Sequence, residues 1–316
     1  MYLLAALVLL LGGSLEIAAD RRYVVDRWDV DDGLPNTALT HLVQSRDGYL
    51  WIATWAGIVR FDGVRFTPIA EDLPNHHARA LLEDRDGAMW IGVSGLGLVR
   101  WRAGVIETLT ERDGLAGHDV RTLAEDGEGR IWAGTENGVS VVELTPKPRR
   151  ITTYRVEQGL SANIINSVSR GRDGEMWIAT AKGICVANHG HLRCETPAFF
   201  SGSPNAVLRD RSGRLWVGTD AGLFSDGFDP SPFAGQSVNV LLPSNDGALW
   251  VGLRGGAVAR VTDRGIERYG EADGLAVGLV VALYEDPEGS VWVATDNGGL
   301  ARLKPKRVTL YTTAQG

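Results

Sequence analysis

The sequence predicts an all-β protein, a seven-bladed β-propeller of four-stranded antiparallel blades, and three observations carry the prediction. One pattern recurs seven times, centred on Trp51, Trp90, Trp132, Trp177, Trp216, Trp250 and Trp292, and such recurrence marks units that bury their faces only against one another. A glycine stands three positions before every one of these tryptophans, at Gly48, Gly87, Gly129, Gly174, Gly213, Gly247 and Gly289. Six copies carry another glycine six positions after the tryptophan, at Gly57, Gly138, Gly183, Gly222, Gly256 and Gly298; the second copy has Leu96 there, between Gly95 and Gly97. The composition agrees, with 40 Gly against 12 Pro and 44% apolar residues describing a globular, turn-rich chain.

Each copy divides into the same elements. In the first, LTHLVQ is a short apolar strand, RDG a turn, YLWIAT a second strand, AG a turn, IVRF a third strand, DG a turn and VRFTPI a fourth. Four short strands joined by Gly-containing turns make an antiparallel meander, which is a propeller blade. Ring closure lets each blade cover its neighbour and removes the open sheet edges. The repeated Trp, at one strand position in every copy, is read as the wedge between blades. The propeller is placed at residues 23–304, with the strand YVVDRW from Tyr23 completing the last blade. The segment 305–316, containing Val308–Thr313, is read as the truncated start of a further repeat.

The apolar run Tyr2–Leu11 is too short to span a bilayer and fits the h-region of a secretory signal peptide over residues 1–19, with cleavage near Ala18 or Ala19. No Lys or Arg precedes it, so an upstream start and a retained anchor both stay open. Export makes the protein periplasmic or secreted. The net charge of -7 and pI near 5.4 argue against nucleic acid, whose phosphates need clustered cations. In GICVANHGHLRC a turn at His189-Gly190 sets Cys185 opposite Cys194, and an oxidising compartment would let them form a disulfide; two buried free thiols are the alternative.

The string DGLPNTALTHLVQSRDGYLWIATWAGIVRFDG, from Asp32, resembles the two-component regulator propeller repeat. So do DGLAGHDVRTLAEDGEGRIWAGTENGV and DGLAVGLVVALYEDPEGSVWVATDNGGLARL. The resemblance covers roughly residues 23 to 313. It implies the extracytoplasmic sensor of a bacterial signal-transduction system, with a histidine kinase or diguanylate cyclase output domain in a longer chain or a partner, and oligosaccharide-like ligands. The Asp-Gly-Leu entry stands at Asp32–Leu34, Asp113–Leu115 and Asp273–Leu275, is altered to Gln158-Gly159-Leu160 and Glu71-Asp72-Leu73, and is missing before Trp216 and Trp250.

No catalytic or metal motif appears in context, so neither a metal nor a cofactor is expected, and the chain is read as a binding module rather than an enzyme. The enzymatic alternative is a streptogramin-lyase-like propeller, acting as lyase or hydrolase through His41, His76, His77 and His118 near the starts of adjacent inner strands, with Asp119 close by. The ligand is instead placed on one ring of residues. Eleven positions before each repeated Trp stand Thr40, Arg79, Arg121, Asn166, Asn205, Asn239 and Val281, each preceded by an apolar residue. Closing the blades would gather six polar side chains at one mouth of the channel, with His76, His77 and His118 beside them. Arg79 and Arg121 suit a carboxylate or sulfate and the three Asn suit sugar hydroxyls, so an anionic oligosaccharide or similar small polar molecule is expected there. The competing reading is that these side chains only satisfy backbone groups or channel water.

Overall fold

The computed structural model of the chain describes residues 22–69, 77–145, 149–195 and 197–306. Seven separate antiparallel sheets follow one another along the chain. Their innermost strands are Leu39–Gln44, Ala78–Glu83, Val120–Glu125, Ile165–Arg170, Pro204–Arg209, Val238–Pro243 and Val280–Glu285, numbered blades 1 to 7. The seventh blade takes its outermost strand from the other end of the chain: Tyr23–Trp28 pairs with Leu300–Pro305 through six residue pairs. Trp28 stacks on Trp292 at 5.3 Å, and Tyr23 sits edge-on to Trp250 of blade 6 at 5.2 Å, so the closing strand also ties the last two blades.

The repeated tryptophans lie on the second strand of each blade and are buried, from 0% exposed at Trp90 and Trp250 to 6% at Trp292. Each packs into the next blade round the ring; Trp51, for example, lies among Ala78, Leu81, Met89 and Ile91 of blade 2. Two positions after each Trp the residue is always Ala or Gly. The reason is the close approach of the neighbouring inner strand: a Cβ on Gly134 would lie 2.6 Å from the Ile165 side chain of blade 4. The seven glycines three positions before the tryptophans all adopt positive φ, from 78° at Gly87 to 92° at Gly213, which the tight turn requires and other residues rarely adopt.

Asp-Gly-Leu turns out to be an architectural motif. Val30–Asp32, Glu111–Asp113, Val156–Gln158 and Glu271–Asp273 are single 3-10 turns, each closed by a left-handed glycine and followed by a buried leucine. The residue before the glycine accepts from the backbone N–H three positions earlier, as Asp113 does from Thr110 and Gln158 does from Arg155. Gln158 therefore replaces Asp without loss of the cap. The altered copy at Glu71–Leu73 lies outside the described residues, as do His76 and the segment Val308–Thr313.

One blade departs from the expected four strands. Blade 5 has three, ending at Leu223–Ser225. Pro230 and Pro232 lack the N–H a fourth strand needs, and the chain instead makes a short 3-10 turn, Ser231–Phe233, that plugs the gap with the fully buried Phe233 ring. In blade 4, His189 and Gly190 turn the outer hairpin at φ 46° and 81°, Cys185 pairs with Cys194, and their sulfurs are bonded.

Candidate functional site

The ring of positions eleven residues before each tryptophan coincides with a backbone irregularity. In all seven blades the register between the first two strands shifts across that one residue, so Thr40, Arg79, Arg121, Asn166, Asn205, Asn239 and Val281 are each an extra residue in the inner strand. Such a bulge re-aims its side chain away from the regular alternation. All seven residues line a central cavity of about 780 Å³, within the usual range for small-molecule sites.

The polar members fall into two arcs. In blades 2 and 3, Arg79 and Arg121 converge on Asp119: one Arg79 terminal nitrogen lies 3.1 Å from Oδ2 and Arg121 Nε donates to the same oxygen at 2.9 Å. Burial pushes the Asp119 carboxyl up, but the Arg121 hydrogen bond and the Arg79 charge outweigh it and hold the group below the usual carboxylate range. The two guanidiniums thus clasp a carboxylate, and that carboxylate is the protein's own, leaving the trio with one net positive charge.

In blades 4 to 6 the amides also serve the fold. Asn166 donates to Pro204 O at 2.7 Å and Asn205 to Val238 O at 3.1 Å, while Thr40 of blade 1 donates to Ala78 O at 2.5 Å; each bond runs to the next blade. The structural role weighed for these side chains is therefore part of what they do. Their remaining oxygens border the cavity, and Asn239 Nδ2 is buried with no hydrogen-bond partner. An unsatisfied donor in a side chain that lines the cavity can gain a bond to a ligand or water atom once the amide turns toward the cavity.

The histidines do not form one cluster. His41 lies on the channel wall with Nδ1 accepting from Leu81 N–H at 3.3 Å, and burial pushes its pKa down to about 4. His77 lines the cavity mouth and packs on Trp55, ring centroids 4.1 Å apart. His118, expected beside the ligand, is not among the cavity-lining residues. Its ring lies 3.2 Å from Glu136, and Glu136 accepts the backbone N–H groups of His118 and Asp119, which draws the residue outward onto the rim. Among the described residues no group of three or more His, Cys, Asp or Glu could hold a metal ion.

Sequence reasoning missed Trp55 and a set of aspartates, buried at Asp84, Asp126 and Asp286 and half-buried at Asp210. Asp84, Asp126, Asp210 and Asp286 stand six positions before a repeated Trp and accept its indole N–H at 2.8 to 3.0 Å. That spacing was visible in the repeat. Trp55 stands four positions after Trp51, where blades 3, 5 and 7 carry Glu136, Asp220 and Asp296; those carboxylates tie down backbone N–H groups of the entry segment at His118 and Asp119, Ser203 and Leu279. Trp55 makes no such tie and is 55% exposed.

The fold and site together define a ring-closed propeller with a polar, partly cationic channel mouth. The chain belongs to the two component regulator propeller family, whose repeat matches residues 33–56, 72–95, 114–137, 159–182, 199–221 and 274–297. The sixth blade is the one left unmatched, and it is one of the two that lack the Asp-Gly-Leu entry. Among solved structures the chain resembles the extracellular domain of the putative hybrid two component system BT3049 from B. thetaiotaomicron, with TM-score 0.77 and 21% identity over 93% of this chain and 45% of that one. The corresponding domain of BT4673 from the same organism gives TM-score 0.74 and 21% identity over 92% of this chain and 40% of that one. The chain thus spans less than half the length of these sensor domains. Virginiamycin B lyase from Staphylococcus aureus shares the fold at TM-score 0.72 and 15% identity, over 90% of this chain and all of that one. No curated protein sequence matches the chain. No helix among the described residues is long and apolar enough to cross a membrane.

Proposed function

We propose that this propeller is the ligand-binding part of an extracytoplasmic bacterial sensor, and that a small polar or oligosaccharide ligand docks in the channel mouth formed by Thr40, Arg79, Arg121, Asn166, Asn205, Asn239 and His77. The observation that carries the reading is the bulge repeated in every blade, which turns one position per blade, polar in six of the seven, into a shared cavity and concentrates the charge of Arg79 and Arg121 on one side. Signal output would fall to a histidine kinase or diguanylate cyclase domain in a longer chain or a partner. Membership of a regulator-propeller family, and resemblance to extracellular sensor domains, support that division of labour.

The test is binding of a glycan panel by calorimetry and thermal shift, with turnover followed in parallel. Replacing Arg79 and Arg121 alone would strand Asp119, whose side chain is 13% exposed, so the informative variant is Arg79→Ala, Asp119→Asn, Arg121→Ala together. Binding by the native chain that this folded variant abolishes supports the proposal. A ligand whose affinity is unchanged in it places the site elsewhere, and turnover of a bound compound favours the lyase-like alternative.

A further inference from the structure

The mouth is chemically lopsided, and the asymmetry specifies a ligand class. On the arc of blades 1 to 3 stand an exposed aromatic face and a guanidinium pair: Trp55 and His77 packed together, then Arg79 two residues beyond His77, then Arg121. Across the channel, blades 4 to 6 offer neutral groups, namely Asn166, Ser167, Ser169, Asn205 and the unpartnered Nδ2 of Asn239.

Two features make the first arc more than a rim, an exposed indole and a guanidinium pair. Trp55 stands where blades 3, 5 and 7 carry a carboxylate that ties down the entry segment and blades 2, 4 and 6 carry Ser94, Ala181 and Arg254, so it is the one aromatic at a variable position. It leaves 55% of its surface in water and lines the cavity, so its ring is within reach of anything bound there. His77 packs on the ring at 4.1 Å between centroids and a tilt of 46°, and the exposed part of the indole offers a flat apolar surface to a planar or pyranose ring. Next to this platform the Arg79–Asp119–Arg121 trio carries a single unmatched positive charge, with the Arg79 side chain 44% and the Arg121 side chain 30% exposed.

Resting on the reading that the mouth is the ligand site, we propose that it recognises an oligosaccharide through one acidic sugar of the uronic acid type. The pyranose ring stacks on Trp55 and its carboxylate engages the guanidinium edges of Arg79 and Arg121 that Asp119 does not occupy. The neighbouring sugars reach the amide arc, where Asn239 donates to a hydroxyl or ring oxygen and the Asn166 and Asn205 oxygens accept from hydroxyls. Asp119 sets the charge count on this arc, while the one carboxylate among the described residues that lines the cavity itself, Asp296 of blade 7, accepts from Leu279 N–H. By neutralising one of two cations Asp119 matches the site to a single carboxylate and leaves a second anionic group on the same sugar unpaired.

The experiment is calorimetric titration of the full chain with trigalacturonate and with neutral galactotriose, at two salt concentrations. The proposal expects trigalacturonate to bind at least tenfold more tightly than galactotriose. Trp55→Ala weakens trigalacturonate roughly tenfold or more, and Trp55→Phe restores most of the loss. Asp119→Asn strengthens trigalacturonate severalfold and steepens its salt dependence, because a second cation is uncovered. Failure of trigalacturonate to bind, equal binding of the neutral sugar, or indifference to Trp55→Ala overturns this inference. If in those cases another glycan binds and loses affinity in the Arg79, Asp119, Arg121 triple variant, the mouth remains the ligand site and only the acidic-sugar assignment falls. If that glycan is indifferent to the triple variant, the site itself is misplaced.

Discussion

Asp126→Ala tests whether the buried aspartates hold the blades together. The carboxylate is 1% exposed and accepts four hydrogen bonds: from Trp132 Nε1 at 2.8 Å, Arg130 Nε at 2.6 Å, Glu128 N at 2.9 Å and Arg130 N at 3.0 Å. Alanine leaves the indole N–H with no partner in a closed interface, at a cost of about 1–3 kcal/mol. The two backbone N–H groups of the turn lose their acceptor, adding about 0.5–1.5 kcal/mol each, while the partly exposed Arg130 can turn to water. The sum is about 2–6 kcal/mol, a large share of the roughly 5–15 kcal/mol typical of a folded protein. Urea unfolding followed by tryptophan fluorescence should show the midpoint falling with the slope unchanged. Asp126→Asn, which keeps one acceptor oxygen, should lose about half as much. Acid adds a second readout. Burial raises the Asp126 carboxyl, but bonds from Trp132 and Arg130 outweigh it and hold it below the usual range. Its stabilisation is therefore complete above the ordinary carboxylate range, falls away as the pH drops through the lowered value, and should be missing from the Asp126→Ala profile. A loss under about 1 kcal/mol would refute the reasoning, because a buried, four-fold bonded carboxylate cannot be removed so cheaply.

Three further outcomes follow from the same geometry. His41 is pushed down to about 4 by burial, so the unfolded chain binds the extra proton first; stability should fall between pH 6.5 and 4 by at most about 3 kcal/mol, and His41→Gln should flatten that window in pH-dependent unfolding. Intact mass and alkylation of exported protein without reductant should find no free thiol; two alkylatable thiols would break the Cys185–Cys194 assignment. Removing residues 1–28 deletes the strand that pairs with Leu300–Pro305 and should leave the chain unfolded or aggregating, whereas removing residues 307–316 should cost little; the reverse result in thermal melts would overturn the closure.

The fold was legible because its constraints act at fixed spacings. A tryptophan wedge, a small residue two positions later and a turn glycine three positions earlier recur on one chain, and each answers to packing against the next copy. The mouth was legible in part for the same reason: polarity at a single strand position survived in six blades, and that position is where the strand bulges. What escaped depends on partners that meet only in the folded chain. Asp119 sits two residues before Arg121 in sequence, but its capture of Arg79 needs blades 2 and 3 side by side. His118 looked like a mouth residue until Glu136, from a turn in the same blade, drew it to the rim. Trp55 escaped because it stands at a position that varies from blade to blade, as Ser94, Glu136, Ala181, Asp220, Arg254 and Asp296 show, and attention to what repeats passes over it. The missing strand of blade 5 was written in Pro230 and Pro232, whose missing N–H groups outweighed the periodicity.

The central claim, that the ligand sits in the channel mouth, is tested most directly by a crystal structure of the propeller with the tightest-binding glycan of the panel. Our account predicts sugar density in the cavity between the Arg79 and Arg121 guanidiniums and Asn239, with a hydrogen bond to the Nδ2 atom that lacks a partner in the free protein. Density confined to the opposite face, at the turns that precede the repeated tryptophans, or to the outer edges of the blades would contradict it.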